Sequence, residues 1–193
     1  MALDALSDVS DEALLVLYAN GDPSAARALT LRLTPRVLGF AARMLGDRTE
    51  AEDVAQEAML RLWRIAPDWR QGEAQVTTWL YRVVSNLCTD RLRRGRSKAL
   101  DEVPEAEDRA PAVVARLIDA DRAAALEAAM ALLPDRQRQA VVLRHIEGLA
   151  NPEIAHVMDI GVEAVESLVA RGKRGLAALL SGRRAELGYD DED

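Results

Sequence analysis

The chain holds 193 residues, 49% hydrophobic, 30% charged and 4% aromatic, with a net charge of −7 and a single cysteine. That length allows one domain or two small ones. The apolar share excludes wholesale disorder, and no apolar run approaches the roughly 18 residues of a membrane span. One cysteine excludes an internal disulfide and any cysteine metal cluster.

The opening Met1-Ala-Leu-Asp lacks the basic-then-apolar layout of a secretory signal, so a cytoplasmic location without membrane insertion is expected. Abundant Ala, Leu, Arg and Glu with few β-branched clusters favour an all-α fold. The acidic total is misleading for partners, because the charges are segregated. Between residues 82 and 98, Arg82, Arg91, Arg93, Arg94, Arg96 and Lys98 face Asp90 alone. Asp101, Glu102, Glu105, Glu107 and Asp108 follow at once. A phosphate backbone answers to the local field, so the basic block remains a nucleic-acid candidate.

In chain order, Asp22-Pro23 predicts a helix start, with proline at the first helical position, and Gly46 predicts its stop after Leu45. Thr49 to Glu52 reads as a capping box opening the next helix, which buries Val54, Ala58, Met59, Leu62 and Trp63 on one face. Its other stripe is Asp53, Gln56, Glu57, Leu60 and Arg64. An interface helix can look like this, but the residues alone favour an ordinary solvated face. Pro67 ends that helix, and 68–75 reads as a loop.

A further helix is predicted from Thr77 to Arg94. Trp79, Arg82, Asn86, Arg93 and Arg94 lie near one stripe of it, with Asp90 beside them. A cationic track with an aromatic ring suits unstacked single-stranded DNA; Trp79 can equally be a core residue. The polar, proline-containing stretch after it predicts a domain boundary. The expected organisation is 1–97 as a first small helical domain, 98–118 as a flexible acidic linker, and 119–193 as a second domain.

That second domain is predicted as helices over 119–133, 136–147, 151–159 and 162–180. The last two, joined by Asp159-Ile160-Gly161, have helix-turn-helix spacing, with Ile154, Ala155, Met158, Ile160, Val165 and Leu168 or Val169 as the small core. His145 and His156 lack ligand spacing, so no metal is expected, and Cys88 reads as a small buried hydrophobe. Neither a Gly-rich phosphate loop nor a nucleophile elbow occurs, so neither enzyme activity nor a cofactor is expected.

Leu133-Pro134-Asp135-Arg136-Gln137-Arg138, Leu143-Arg144, Glu147-Gly148-Leu149, Glu153-Ile154-Ala155 and Val165-Glu166-Ser167-Leu168 together resemble domain four of bacterial sigma factors. Ala51 to Glu57 through Trp63 resembles the polymerase-binding helix of domain two, and Thr78-Trp79-Leu80-Tyr81-Arg82 through Asn86, Asp90 and Arg93-Arg94 resembles its promoter-melting helix. The compact two-domain form is similar to the extracytoplasmic-function (ECF) group of the sigma-70 family.

The resemblance implies a factor that directs RNA polymerase to promoters, in a stress response. Asp53, Gln56, Glu57, Leu60 and Arg64 would meet core polymerase. Trp79, Arg82, Asn86, Asp90, Arg93, Arg94 and the 66–76 loop would hold the melted downstream element. Glu163, Glu166, Ser167, Arg171, Lys173 and Arg174 would face the upstream element. It also implies an anti-sigma factor as partner and a linker that passes through the RNA-exit region of the polymerase.

The second helix of the helix-turn-helix departs from the common pattern in its carboxylates. Glu163 and Glu166 either read bases, since Glu accepts from cytosine N4, or weaken DNA binding. The other expectation consistent with those acids is a sigma-like mimic that sequesters an anti-sigma factor without touching DNA.

Overall fold

The computed structural model describes residues 6–70, 72, 75–101 and 117–181. Among them are eight α-helices and no strand: α1 (Asp11–Ala19), α2 (Pro23–Leu45), α3 (Arg48–Ile65), α4 (Val76–Asp101), α5 (Leu117–Ala131), α6 (Asp135–Val141), α7 (Asn151–Met158) and α8 (Val162–Ser181). The expected linker core, 102–116, and the acidic C-terminus lie outside the described residues.

Caps explain most of the boundaries. Asp22 accepts from Ser24 N–H at 2.8 Å to open α2, and Gly46, at φ 67°, closes it in the left-handed region. α2 continues through Pro35, whose missing N–H removes one helical hydrogen bond. α3 begins earlier than the Thr49 capping box implies: Asp47 is the cap and accepts from Glu50 N–H at 3.0 Å. Asp47, two residues ahead of Thr49, supplies the capping oxygen instead. α1, which pattern reading did not single out, is capped by Ser10 accepting from Ala13 N–H.

The Arg32 guanidinium then ties down the turn before α1. It donates to the carbonyls of Val9 (2.8 Å), Leu6 (3.1 Å) and Ser7 (3.0 Å), and to Asp11 Oδ1 (2.8 Å).

Two expectations are corrected in the middle of the chain. α4 runs to Asp101 rather than ending near Arg94, so the basic cluster lies within the helix and the predicted boundary falls inside it. Arg, Lys and Ala sustain a helix well, a lone Gly95 costs only about 1 kcal/mol, and the next proline comes at 104. The helix predicted over 136–147 is α6 followed by a π-helical turn over Val142–Ile146, ending at Gly148 with φ 76°.

In the helix-turn-helix, Ala150 rather than Asn151 is the cap residue of α7, and the Glu153 carboxylate accepts from its N–H at 2.7 Å. Asp159, not Gly161, takes the left-handed turn position, at φ 53°. Asp tolerates that conformation because its short polar side chain bonds locally.

The core of the first half is built by α1–α4, with Leu14, Leu15, Leu29, Leu33, Val37, Phe40, Val54, Leu62, Leu80 and Val84 essentially buried. The second half packs Ala140, Val142, Leu143, Ile154, Val157 and Val165. Gly172 lets α8 cross α6 closely: a Cβ there would meet Val141 Cγ2 at 2.5 Å and Gln137 O at 3.2 Å. The two halves are in contact: α4 lies along α7, and α2 touches α5 and α6.

Candidate polymerase and nucleic-acid interfaces

α3 turns Ala51, Val54, Ala55, Ala58, Met59 and Leu62 inward. Helical spacing of three and four residues therefore sends Asp53, Gln56, Glu57, Leu60 and Arg64 to the opposite side, where all are exposed except half-buried Glu57. Leu60 is 42% exposed. It borders an apolar groove of about 310 Å³ between α2 and α3, lined by Leu38, Ala55, Gln56, Met59 and Trp63 among others. The Arg61 guanidinium bonds Glu57 at 2.8 Å and holds its carboxyl below the usual range. An exposed leucine beside an apolar groove, ringed by polar groups, is the composition of a protein-docking surface.

α4 carries three faces. Leu80, Val84 and Cys88 enter the first-half core, and burial pushes the Cys88 thiol up to about 12. Asn86, Arg93 and Arg94 are exposed, and Asp90 accepts from Arg93 at 2.7 Å. Trp79 is half-buried, edge-on to Trp69 with ring centroids 6.0 Å apart; Trp69 belongs to the loop before α4. The two indoles are neighbours at the mouth of the stripe. The start of α4 is fixed from outside the helix, since the Glu12 carboxylate of α1 accepts from Val76 N–H at 3.0 Å. Beyond Asp90, a groove of about 570 Å³ is lined by Arg91, Arg94 and Arg96 together with Asp47 and Glu50.

The third face of α4 is covered by the second half, and pattern reading did not find this junction. Buried Tyr81 donates its hydroxyl to Glu147, whose side chain is only 7% exposed. Arg36 stands 3.8 Å from the same carboxylate and 5.7 Å above the Tyr81 ring. Burial first, then the bond to Glu147, push the Tyr81 hydroxyl above its ordinary range. Thr78 donates to Glu153 at 3.5 Å, and Arg82 lies 3.9 Å from Asp159. Arg82, read from the sequence as a strand contact, thus faces a carboxylate.

On α8, Val165 and Gly172 face inward, while Glu163, Glu166, Ser167, Arg171, Lys173 and Arg174 are all exposed. At 100° per residue, Glu163, Ser167 and Arg174 share the centre of that face; Arg171 and Lys173 flank it on opposite sides. Arg144 and Asn151 join Glu166, Lys173 and Arg174 around a groove of about 440 Å³. Burial, then Lys173 and Arg144, hold the His145 imidazole below its ordinary range. No helix among the described residues is long and apolar enough to cross a membrane.

Residues 29–98 match the family described as Sigma-70 region 2, and residues 123–176 match Sigma-70, region 4. The ECF RNA polymerase sigma factor SigM of Mycobacterium tuberculosis is 37% identical over 172 residues, covering 89% of this chain and 85% of the relative. The ECF RNA polymerase sigma factor SigE of Mycolicibacterium smegmatis is 33% identical over 178 residues, covering 89% of this chain and 68% of the relative. Among solved structures, CnrH in complex with the cytosolic domain of CnrY is similar at 27% identity and a TM-score of 0.64, covering 89% of this chain and 97% of that one. The sigma factor RpoE in complex with the anti-sigma factor NepR, from Bartonella quintana, shares the fold at 22% identity and a TM-score of 0.66, covering 80% of this chain and 96% of that one.

Proposed function

The chain belongs to the ECF group of the sigma-70 family, and from that membership we propose how its exposed helix faces divide the work of promoter-directed transcription initiation. The protein directs RNA polymerase to promoters. Its α3 stripe, Asp53, Gln56, Glu57, Leu60 and Arg64, docks on core polymerase. The α4 stripe, Trp79, Arg82, Asn86, Asp90, Arg93 and Arg94, holds the melted downstream strand with the loop before it. The α8 face, Glu163, Glu166, Ser167, Arg171, Lys173 and Arg174, enters the major groove of the upstream element.

The observation that carries this reading is the exposure of the α8 face. Six polar or charged side chains point outward on a helix whose inner side is pinned to α6 and α7. That is the requirement for a recognition helix: a rigid backbone with free side chains. Arg171 and Lys173, flanking the centre, suit the two phosphate walls of a groove, while Glu166 suits a cytosine amino group between them.

Melting follows from differential binding. A separated strand gains stacking on indole and cation contacts that the duplex does not offer, so the open state is favoured without catalysis.

An anti-sigma factor as regulator, in a stress response, fits this chain because two of the similar solved structures are recorded in complexes, one named as sigma with anti-sigma. Run-off transcription with purified core polymerase tests the whole reading. Discrete transcripts from a promoter are expected; their absence, with core binding intact, favours the mimic that only sequesters a partner.

A further inference from the structure

Ser97 lies in the run Arg93-Arg94-Gly95-Arg96-Ser97-Lys98. No other serine or threonine of the chain has three arginines within the four positions before it. The roles assigned above give Arg93 and Arg94 to the strand and leave this hydroxyl unused.

We propose that Ser97 is a phosphorylation site for an arginine-directed, ATP-dependent protein kinase, and that its phosphate disarms the strand-holding end of α4. The inference rests on α4 being the strand-holding helix, as assigned above, and deepens that assignment by naming what regulates it.

The site is open to an enzyme. Arg93, Arg94, Gly95, Arg96 and Ser97 are all exposed, and a Cβ at Gly95 would meet nothing within 4 Å. Arg96 ties this stretch to Asp135 at 2.5 Å through an exposed guanidinium, and such pairs hold weakly. The Ser97 hydroxyl donates to the Arg93 carbonyl at 3.2 Å, a bond local to the helix. A helical turn with so little packing is marginal in water, the glycine weakens it further, and opening near a helix end is cheap. A kinase can therefore take the segment in extended form, with guanidinium groups three and four positions ahead of the hydroxyl. Charge patterns of this kind are how kinases choose substrates.

In the transfer, Ser97 Oγ attacks the γ-phosphorus of ATP. The bond to the bridging oxygen breaks, ADP leaves, and the hydroxyl proton passes to the catalytic aspartate of the kinase. Hydrolysis of the ester by a phosphatase returns the serine and inorganic phosphate, so the mark is reversible.

The consequence follows from helix geometry. Residues three and four apart share a face, and helical side chains lean towards the N-terminus. A phosphate on Ser97 thus reaches back over Arg93 and Arg94. Arg93 already takes an anion from its own helix, Asp90 at 2.7 Å. Arg94 lines the groove of about 570 Å³ beside Arg91 and Arg96. The phosphate brings up to about two negative charges and three acceptor oxygens, which pair with such a cluster. α4 ends at Asp101, and the dipole at a helix C-terminus repels an anion, turning it back towards the arginines. Two cations meant for the strand are then held by the protein itself.

The test incubates the full chain and Ser97→Ala with ATP and a purified kinase already shown to label an arginine-serine peptide. Peptide mapping by mass spectrometry is expected to place a phosphate on Ser97 of the wild type. Each chain is then joined to core polymerase and titrated with a labelled oligonucleotide of the melted downstream strand. Phosphorylation should weaken that binding roughly tenfold at about 0.1 M salt and lower the salt slope by about 1.4, the loss of two strand phosphates. Co-elution with core polymerase stays unchanged. Unmodified Ser97→Ala binds as the wild type does, and Ser97→Glu, with a smaller charge, falls between.

A folded chain that the active kinase leaves unlabelled at Ser97 overturns the proposal. So does a labelled chain with unchanged strand affinity when unmodified Arg93→Ala and Arg94→Ala weaken it. If those two arginine variants bind the strand as tightly as the wild type, the α4 assignment itself falls, and the disarming falls with it.

Discussion

Cys88 on α4 and Arg171 on α8 illustrate how differently two helical side chains are used. Cys88 is buried and its thiol is pushed up to about 12. The folded state withholds ionisation, so this contribution to stability is complete below the ordinary thiol range near 9 and is lost as the pH climbs from there towards about 12. Urea titrations below and above that range should differ more for the wild type than for Cys88→Ala, and thiol reagents should label the native chain only as fast as it opens.

Arg171 is exposed at the edge of the α8 face. Arg171→Ala should weaken upstream-element binding across sequences and reduce the salt slope by about one. Glu166→Ala behaves differently if its carboxylate accepts from a cytosine. It should relax discrimination at one base by about 1–3 kcal/mol while leaving the salt slope in place. Binding isotherms of the holoenzyme on a small promoter library separate the two behaviours.

At the scale of elements, the helix punctuation was readable because it is written in neighbouring residues. Asp22-Pro23 and Gly46 bracket α2 as expected, and of the core that helix-turn-helix spacing proposes Ile154, Ala155, Met158 and Val165 are buried, Ile160, Leu168 and Val169 partly so, with Val157 added. The run of α4 past Arg94 was not readable, because its continuation to Asp101 rests on propensity alone, with no strong breaker before Pro104. The start of α3 was off because Asp47, two residues before Thr49, is itself a good cap and takes the Glu50 amide.

Gly172 was passed over for a related reason. A glycine inside a helical pattern looks like a weakness until the partner helix is placed against it. Gly172→Ala should destabilise the second half by about 1–3 kcal/mol, since its Cβ would collide with Val141 and the Gln137 carbonyl. Asp47→Ala should cost about 1 kcal/mol through the lost cap. Thermal melts of both variants check these values.

For the whole molecule, what the sequence hid was the junction. Tyr81 meets Glu147 across 66 positions, and Arg36 meets it across 111. No local pattern links groups that far apart. The charge segregation was visible, with cations near α4 and acids after it, but its geometric meaning was not: the carboxylates that touch α4 come from α6, the turn before α7, α7 itself and the Asp159 turn. Two helical bodies that pack in this way turn one face to each other and leave free most of the faces proposed above for DNA.

The face proposed for polymerase lies on α3. Leu60→Glu, placing a carboxylate into the rim of the apolar groove, should weaken association with core polymerase by roughly tenfold, about 1.4 kcal/mol, without changing helix content; co-elution with core polymerase over a concentration series measures it.

The most direct measurement is to reconstitute purified core polymerase with this chain on fragmented genomic template and sequence the 5′ ends of the transcripts. The account predicts a restricted set of start sites sharing an upstream and a downstream element, depleted by Arg171→Ala and Leu60→Glu. Start sites identical to those made by core polymerase alone would contradict it.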